Sequence, residues 1–314
     1  MEEGRSCPLA YRYSPSRLGE DPIEVTEDVL YIVGGLYGNI EALDEIERMA
    51  DEEVRDGRRV RLVFNGDFNW FNASDDLFRE INARVLRHMA CLGNVEYELA
   101  NPSPGAGCGC AYPDFVDQGV VERSNRIISR LQDIARGQPD LMEKLGRLPR
   151  FRCLIFGGLK ILVLHGDPES LAGWGLAHEA FAGGNQKQLE SWFAATGADA
   201  MVCTHTCLPE LWSGSVEGRK RVVVNNGSAG MGNLSSDCRG LIARVSASGG
   251  AVEPLVATDS HGVQFSLQPV SFDHEAWMER FDAIWPADSD AALSYRNRLL
   301  EGTTLQPANV RFLA

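Results

Sequence analysis

The 314-residue sequence contains no run of about 18 consecutive apolar residues, the length a helix needs to cross a bilayer, so no transmembrane helix is expected. It opens on MEEGRSCPLAYRYSPSRLGEDP, which is polar and interrupted by proline, with no basic stretch leading into an apolar one. Secretion is therefore not expected, and a cytoplasmic location is. Positive charge is scarce: 30 Lys and Arg stand against 44 Asp and Glu, a formal net charge of -14. A nucleic-acid backbone or an anionic membrane would be repelled at long range, and neither is expected as a partner. A small anionic, phosphorylated substrate escapes that objection where a local cation receives it; a protein partner is unknown at this stage. Internal repeats are absent, and biased composition is confined to one Gly- and Cys-rich loop. The eight cysteines, in a chain without an export signal, are expected as reduced thiols, some buried and some available as ligands.

What is present is ordinary globular sequence, 44% hydrophobic and 24% charged, enough for a sizeable core. The expectation is one large α/β domain over residues 1–314, with a core of about residues 28–270. A helical insertion is expected over 101–150 and a helical extension over 271–314. Residues 29–34 form a short β-branched run ending at Gly34-Gly35. Ile40, Leu43, Ile46, Ala50 and Val54 then recur at helical steps. The pattern repeats at Val60 to Phe64 (VRLVF), Gly66-Asp67, and a helix with Leu77, Ile81, Val85 and Met89 on one face. Strand, loop and helix twice over predict a βαβ beginning. Residues 101–113 are too rich in Gly and Pro for regular structure, and residues 119–148 are helical with a break at Gly137 and Pro139. FRCLIF, Gly157-Gly158 and LKILVLHG read as a hairpin. Residues 170–196 are expected helical. From Ala200 onward the runs AMVCT, ELWSG, RVVVNN, LIARVSA, VEPLVA and VQFSLQPV predict a second sheet made mainly of hairpins.

Five places share one feature, an apolar strand running straight into a loop that holds a polar residue. They are Gly34 to Asn39, Gly66-Asp67, Gly93-Asn94-Val95-Glu96, His165-Gly166-Asp167 and Thr204-His205-Thr206-Cys207. Strand-end loops are where α/β folds place their sites. A carboxylate, an amide oxygen and two imidazoles from four strand ends form a ligand set suited to Zn²⁺, Mn²⁺ or Fe²⁺. Taken singly, each of these residues is equally explained as a helix cap or a partner for backbone donors. Any one of them alone is weak evidence for a site.

The order and setting of these loops resemble the calcineurin-like metallophosphoesterases over residues 29–230. The resemblance implies two packed mixed β-sheets flanked by helices, a four-layer α/β/β/α sandwich. It also implies a metal-dependent phosphohydrolase acting on a small phosphoester through metal-bound water. Carried over residue by residue, one metal's ligands are complete: Asp67, Asn94, His165 and His205, which are also the expected catalytic set. The other metal's set is rewritten. Gly35 stands for the first-motif Asp, Tyr37 for its His and Cys207 for the last His, leaving the shared Asp67. Val95 replaces the His that the family uses to help the leaving group, Trp70 stands where many relatives have a further Asp, and Asn225-Asn226-Gly227-Ser228 matches a segment common after the last motif.

Two readings of the rewritten half stay open. Either the second metal is lost, with Gly35 making a turn and Tyr37 filling space, or Tyr37 and Cys207 ligate an iron or zinc ion beside Asp67. Cys108-Gly109-Cys110 is likewise either a further thiolate source or a loop whose thiols are incidental. Glu96 and Asp167 are candidates for supporting the ligands. The opposing functional reading is a catalytically silent relative that keeps the fold to bind a phosphorylated ligand or a protein.

Overall fold

A computed structural model of the protein describes residues 3–247 and 253–313. A short helix, α1 (Pro15–Leu18), and β1 (Ile23–Glu24) precede the expected βαβ opening. In β2 (Val29–Val33) every residue is buried: Val29, Tyr31 and Val33 face helices, while Leu30 and Ile32 face a second sheet. Strand burial on both sides is why this run lacks a polar alternation. α2 (Ile40–Arg55) starts at Asn39, whose side chain accepts a hydrogen bond from the Ala42 amide at 2.9 Å. Its apolar stripe ends at Ala50, because Val54 is exposed. β3 (Val60–Phe64) then pairs parallel with β2.

α3 (Asp75–Val85) stops short of Met89. Met89, expected on that helix face, instead opens β4 (Met89–Ala90), where it pairs in register with Val63. α4 (Asn94–Ala100), α5 (Gln118–Arg136) and α6 (Pro139–Gly146) follow, with the break at Gly137 where it was expected. β5 (Phe151–Phe156) and β6 (Leu159–Leu164) form the hairpin, and Gly157 and Gly158 both take the positive φ such a two-residue turn demands.

The single helix expected over 170–196 is two pieces, α7 (His178–Ala182) and α8 (Gln186–Thr196). The preceding residues are a loop wound around Asp167, whose carboxylate accepts from the amides of Glu169, Ser170 and Gly175. Those bonds offer the backbone an alternative to helix.

The remaining strands are β7 (Ala200–Cys203), β8 (Glu210–Val216), β9 (Arg219–Asn225), β10 (Gly240–Ser246), β11 (Val256–Ser260) and β12 (Val263–Val270). They do not form one sheet of their own. One six-stranded sheet has the order β11-β12-β10-β2-β3-β4, because β10 crosses to pair antiparallel with β2. β7 lies parallel to both β6 and β9 in the other sheet. The run VEPLVA begins at Val252, outside the described residues, and the strand there starts at Val256. The tail forms α9 (His274–Ile284) and α10 (Asp290–Glu301), then departs from the helical expectation as β13 (Arg311–Leu313), pairing parallel with β8. The second sheet thus runs β1-β5-β6-β7-β9-β8-β13.

Three apolar layers hold this together. Leu30, Ile32, Val63, Val163, Val202 and Val224 fill the space between the sheets. Phe64, Ile46, Ile81, Leu131, Trp277 and Phe281 join the six-stranded sheet to α2, α3, α5 and α9. Leu162, Met201, Trp192 and Phe193 join the other sheet to α8. The fold is an α/β arrangement of two mixed sheets flanked by helices.

Candidate metal centre

The loops leaving β3, β4, β6 and β7 bring Asp67, Asn94, His165 and His205 together, two from each sheet. All four are buried. His165 Nε2 lies 3.0 Å from Asn94 Oδ1, 3.1 Å from His205 Nδ1 and 3.4 Å from Asp67 Oδ1. The Asp67, His165 and His205 ligand atoms are all within 4.8 Å of one another.

The far side of each ligand fixes what faces inward. His165 Nδ1 lies 2.9 Å from the Asn65 carbonyl, so it carries the hydrogen and leaves Nε2 as the bare nitrogen. His205 Nε2 lies 3.0 Å from the Cys110 carbonyl, which by the same reasoning leaves Nδ1 bare. Asn94 donates Nδ2 to the Cys108 carbonyl at 2.9 Å, which turns its oxygen inward. Two imidazole nitrogens, an amide oxygen and a carboxylate oxygen therefore converge on one point, and either a metal ion or a proton on His165 Nε2 reconciles them. Donors about 2.0–2.1 Å from a tetrahedral ion sit about 3.3 Å apart, and the three distances from His165 Nε2, 3.0, 3.1 and 3.4 Å, are of that size. The residues fit a divalent transition metal. Burial opposes a charge on His165, yet the Asp67 carboxylate and the Asn65 carbonyl raise its pKa above the usual value, so a metal ion at Nε2 has to displace a proton that the same neighbours favour. Burial and the neighbouring His165 push His205 down to about 3 and keep it neutral.

Local structure explains the close approach. Gly93 precedes α4, and a Cβ there would lie 2.5 Å from the Asp67 amide nitrogen and 2.9 Å from His165 Cε1. Only glycine lets the two loops meet. Glu96, expected as a support, is fully buried; its carboxylate accepts from the amides of Asp67, Asn69 and Gly93. Burial and the Asp67 charge raise its pKa against those three donors. Asp167 does not reach the ligands and organises its own loop.

The rewritten half lies beside this cluster. Tyr37, Asp67 and Cys207 all adopt left-handed backbone, with φ of 54°, 53° and 62°. Such conformations concentrate at functional sites. The Tyr37 hydroxyl and Cys207 Sγ are 2.6 Å apart, and either can donate. Burial raises the pKa of both, so the pair is a neutral contact. Cys207 does not join the Asp67, His165 and His205 group. A Cβ on Gly35 would sit 3.0 Å from the Tyr37 ring and 3.1 Å from Ser228 Cα, at a φ of 57°. Asn226 braces the site from below, donating to the Ile32 carbonyl and to Asn65 Oδ1.

Cys108 and Cys110 depart from the reduced-thiol expectation, because they pair with each other in a disulfide. Gly109, at a φ of 69°, folds the loop so that their Cα atoms are 5.4 Å apart. Their carbonyls orient Asn94 and His205, and Cys110 Sγ accepts a further hydrogen bond from Asn94 Nδ2 at 3.6 Å. Trp174 also donates Nε1 to the Cys110 carbonyl and meets the His205 ring edge-on at 5.7 Å.

A cavity of about 210 Å³ opens onto Asp67, Asn94 and His205. The 101–117 loop contributes Tyr112 and α10 contributes Tyr295 and Arg298. Sequence reasoning missed these three and Trp174. No spacing marks them, since they approach the site from segments far away in the chain.

No protein-family model matches the chain, and no curated protein does. Solved structures do. A hypothetical protein from Pyrococcus horikoshii OT3 is similar with a TM-score of 0.58 and 12% identity, over 88% of this chain and 99% of that one. A metallophosphoesterase from Sphaerobacter thermophilus is similar with a TM-score of 0.54 and 16% identity, over 88% of this chain and 100% of that one. The chain has the calcineurin-like metallophosphoesterase fold.

Proposed function

We propose that this chain, built on the metallophosphoesterase fold, is a metal-dependent phosphohydrolase acting on a small phosphoester. The observation that carries the reading is the convergence of four ligand atoms whose lone pairs are turned inward by bonds behind them. Asp67, Asn94, His165 and His205 would hold one Mn, Zn or Fe ion. When bound, that ion supplies Lewis acidity and lowers the pKa of coordinated water. The chain's own work is positional. Asn65 and Cys110 carbonyls hold the imidazoles in one tautomer, and Glu96 clamps the amide of Asp67. Trp174 and the burial of the ligands limit water.

Tyr37 and Cys207 enter this reading as a neutral pair beside a single ion. Elemental analysis is expected to give one transition metal per chain, whereas two would make Tyr37 and Cys207 ligands. Hydrolysis of an activated aryl phosphate is expected with Mn²⁺, Zn²⁺ or Fe²⁺ and is lost in Asp67→Asn and His205→Ala. A second reading, binding of a phosphorylated ligand without turnover, is favoured by Val95, an apolar and buried side chain lining the cavity with no proton to give. Metal and ligand binding with no hydrolysis in any of the three metal forms would decide for it.

A further inference from the structure

The cavity over the ligands is walled by rings. Trp70, Tyr112, Trp174 and Tyr295 line it together with Tyr37. They are fixed from behind: Trp70 meets Tyr295 edge-on at 6.4 Å, and Tyr112 meets Trp174 at 6.1 Å. The Tyr112 hydroxyl lies 3.1 Å from Ser124 Oγ, and Trp174 is tied to the Cys110 carbonyl. Phe115, 67% exposed, continues the row outward, edge-on to Trp174 at 6.1 Å. Ordered rings of this kind take a planar partner by stacking or edge contact, each contact contributing beyond simple burial.

One cation faces the same space. Arg298 donates Nε to the Gly232 carbonyl at 2.9 Å and Nη2 to the Cys207 carbonyl at 2.6 Å. Both anchors are neutral carbonyls, no carboxylate pairs with Arg298 among the described residues, and its side chain lines the cavity. In a chain of net charge -14 this is a local exception. A guanidinium held in this way is suited to a phosphoryl oxygen.

Val95 supplies the third element. General acid help to a leaving group is worth roughly 10²–10⁴-fold; Val95 cannot give it, and among the described residues the only carboxylate and imidazole lining the cavity are Asp67 and His205, both placed among the metal ligands. An aromatic alcohol does not need it to the same degree, since a phenol ionises near pKa 10 and a water-like hydroxyl near 15.7.

Resting on the phosphohydrolase reading, we infer that the substrate is a phosphomonoester of an aromatic alcohol, its ring among Trp70, Tyr112, Trp174 and Tyr295 and its phosphoryl group shared between Arg298 and the ion that Asp67, Asn94, His165 and His205 would hold. Water's oxygen forms the new bond to phosphorus, and the aryl oxygen leaves with the electron pair of the broken bond. One proton of the water stays on phosphate and the other reaches the phenoxide through solvent.

The test separates binding from turnover by using phosphonates, which cannot be hydrolysed. Calorimetry on the Mn²⁺-loaded protein compares phenylphosphonate with methylphosphonate, and phenylphosphonate is expected to bind at least tenfold more tightly. Trp174→Leu and Tyr295→Leu are expected to abolish that ratio, with Trp174→Phe restoring it, while Arg298→Gln weakens both ligands about tenfold and leaves the ratio intact. Equal affinities in the wild type, or binding of neither ligand, would overturn the inference even if phosphoesters are hydrolysed. Tight, ring-dependent binding of phenylphosphonate without turnover of phenyl phosphate would instead keep the aromatic pocket and sink the hydrolase reading beneath it.

Discussion

Gly93→Ala adds one methyl group where the two sheets' loops meet at the metal ligands. The new Cβ would lie 2.5 Å from the Asp67 amide nitrogen and 2.9 Å from His165 Cε1. Neither neighbour can yield cheaply. The Asp67 amide is held by Glu96 at 2.7 Å, its φ is already 53°, and His165 is held by the Asn65 carbonyl at 2.9 Å. Relief therefore requires a shift approaching about 1 Å in a ligand, against a tolerance of about 0.2 Å for metal coordination. Supporting changes of this kind typically weaken a metal site about 10–100-fold. At a metal concentration of about 100 times the wild-type Kd, the wild type gains about 2.7 kcal/mol from binding and the variant about 0.4–1.4 kcal/mol. With an unfolding entropy of about 0.7 kcal/mol/K for a chain of this length, that is about 4 °C of metal-induced Tm increase against about 0.6–2 °C. Overpacking separately costs the metal-free variant about 1–3 kcal/mol. Thermal denaturation with and without Mn²⁺, alongside a chelator competition, reads both quantities. Gly146→Ala is the control, because its Cβ would meet nothing nearer than 3.5 Å. A Gly93→Ala protein with the wild-type metal affinity and the full Tm gain would refute the placement of the ligands.

Gly35→Asp, which restores the family's carboxylate, is expected to leave the metal count unchanged and to destabilise by about 1–3 kcal/mol, because the position has a φ of 57° and the Tyr37 ring occupies the adjoining space; a second equivalent of metal would contradict this. Far from the site, the buried Glu53–Arg244 ion pair, with its 2.6 Å bond, should lose about 3–5 kcal/mol in Glu53→Gln. Burial raises the Glu53 pKa, but Arg244 and Arg58 outweigh it and the net value is depressed, so its contribution is present above the unfolded pKa and lost as pH falls through the folded one. The Tm difference between wild type and Glu53→Gln should accordingly shrink on acidification from neutral pH to below 4, with metal affinity at pH 7 unaltered. Reducing the Cys108–Cys110 pair is expected to loosen the carbonyls that orient Asn94 and His205 and to weaken metal binding about tenfold or more; unchanged affinity after complete reduction, verified by thiol count, would contradict it.

Local chemistry made much of this protein legible from its sequence. The β-branched runs at Val29–Val33 and Val60–Phe64, the Gly157-Gly158 hairpin and the helical stripe from Ile40 to Ala50 are each decided by near neighbours. The sequence also placed Asp67, Asn94, His165 and His205 at four strand ends, because a polar residue after an apolar run is visible without knowing the fold. It could not say which strands share a sheet. β10 reads like its neighbours, yet it crosses to β2, a choice made by packing partners about 200 residues distant. Met89 fits a helix period and a strand equally, and pairing with Val63 decided between them. Residues 170–177 lack a helix because one carboxylate, Asp167, captures the amides of Glu169, Ser170 and Gly175. Only the tertiary structure turned the imidazole lone pairs inward, gave the Cys108 and Cys110 carbonyls their task, and brought Arg298 and Tyr295 from the chain's tail to the cavity. A backbone carbonyl has no signature in sequence, and residues whose meeting depends on how distant helices pack carry no spacing by which they can be recognised.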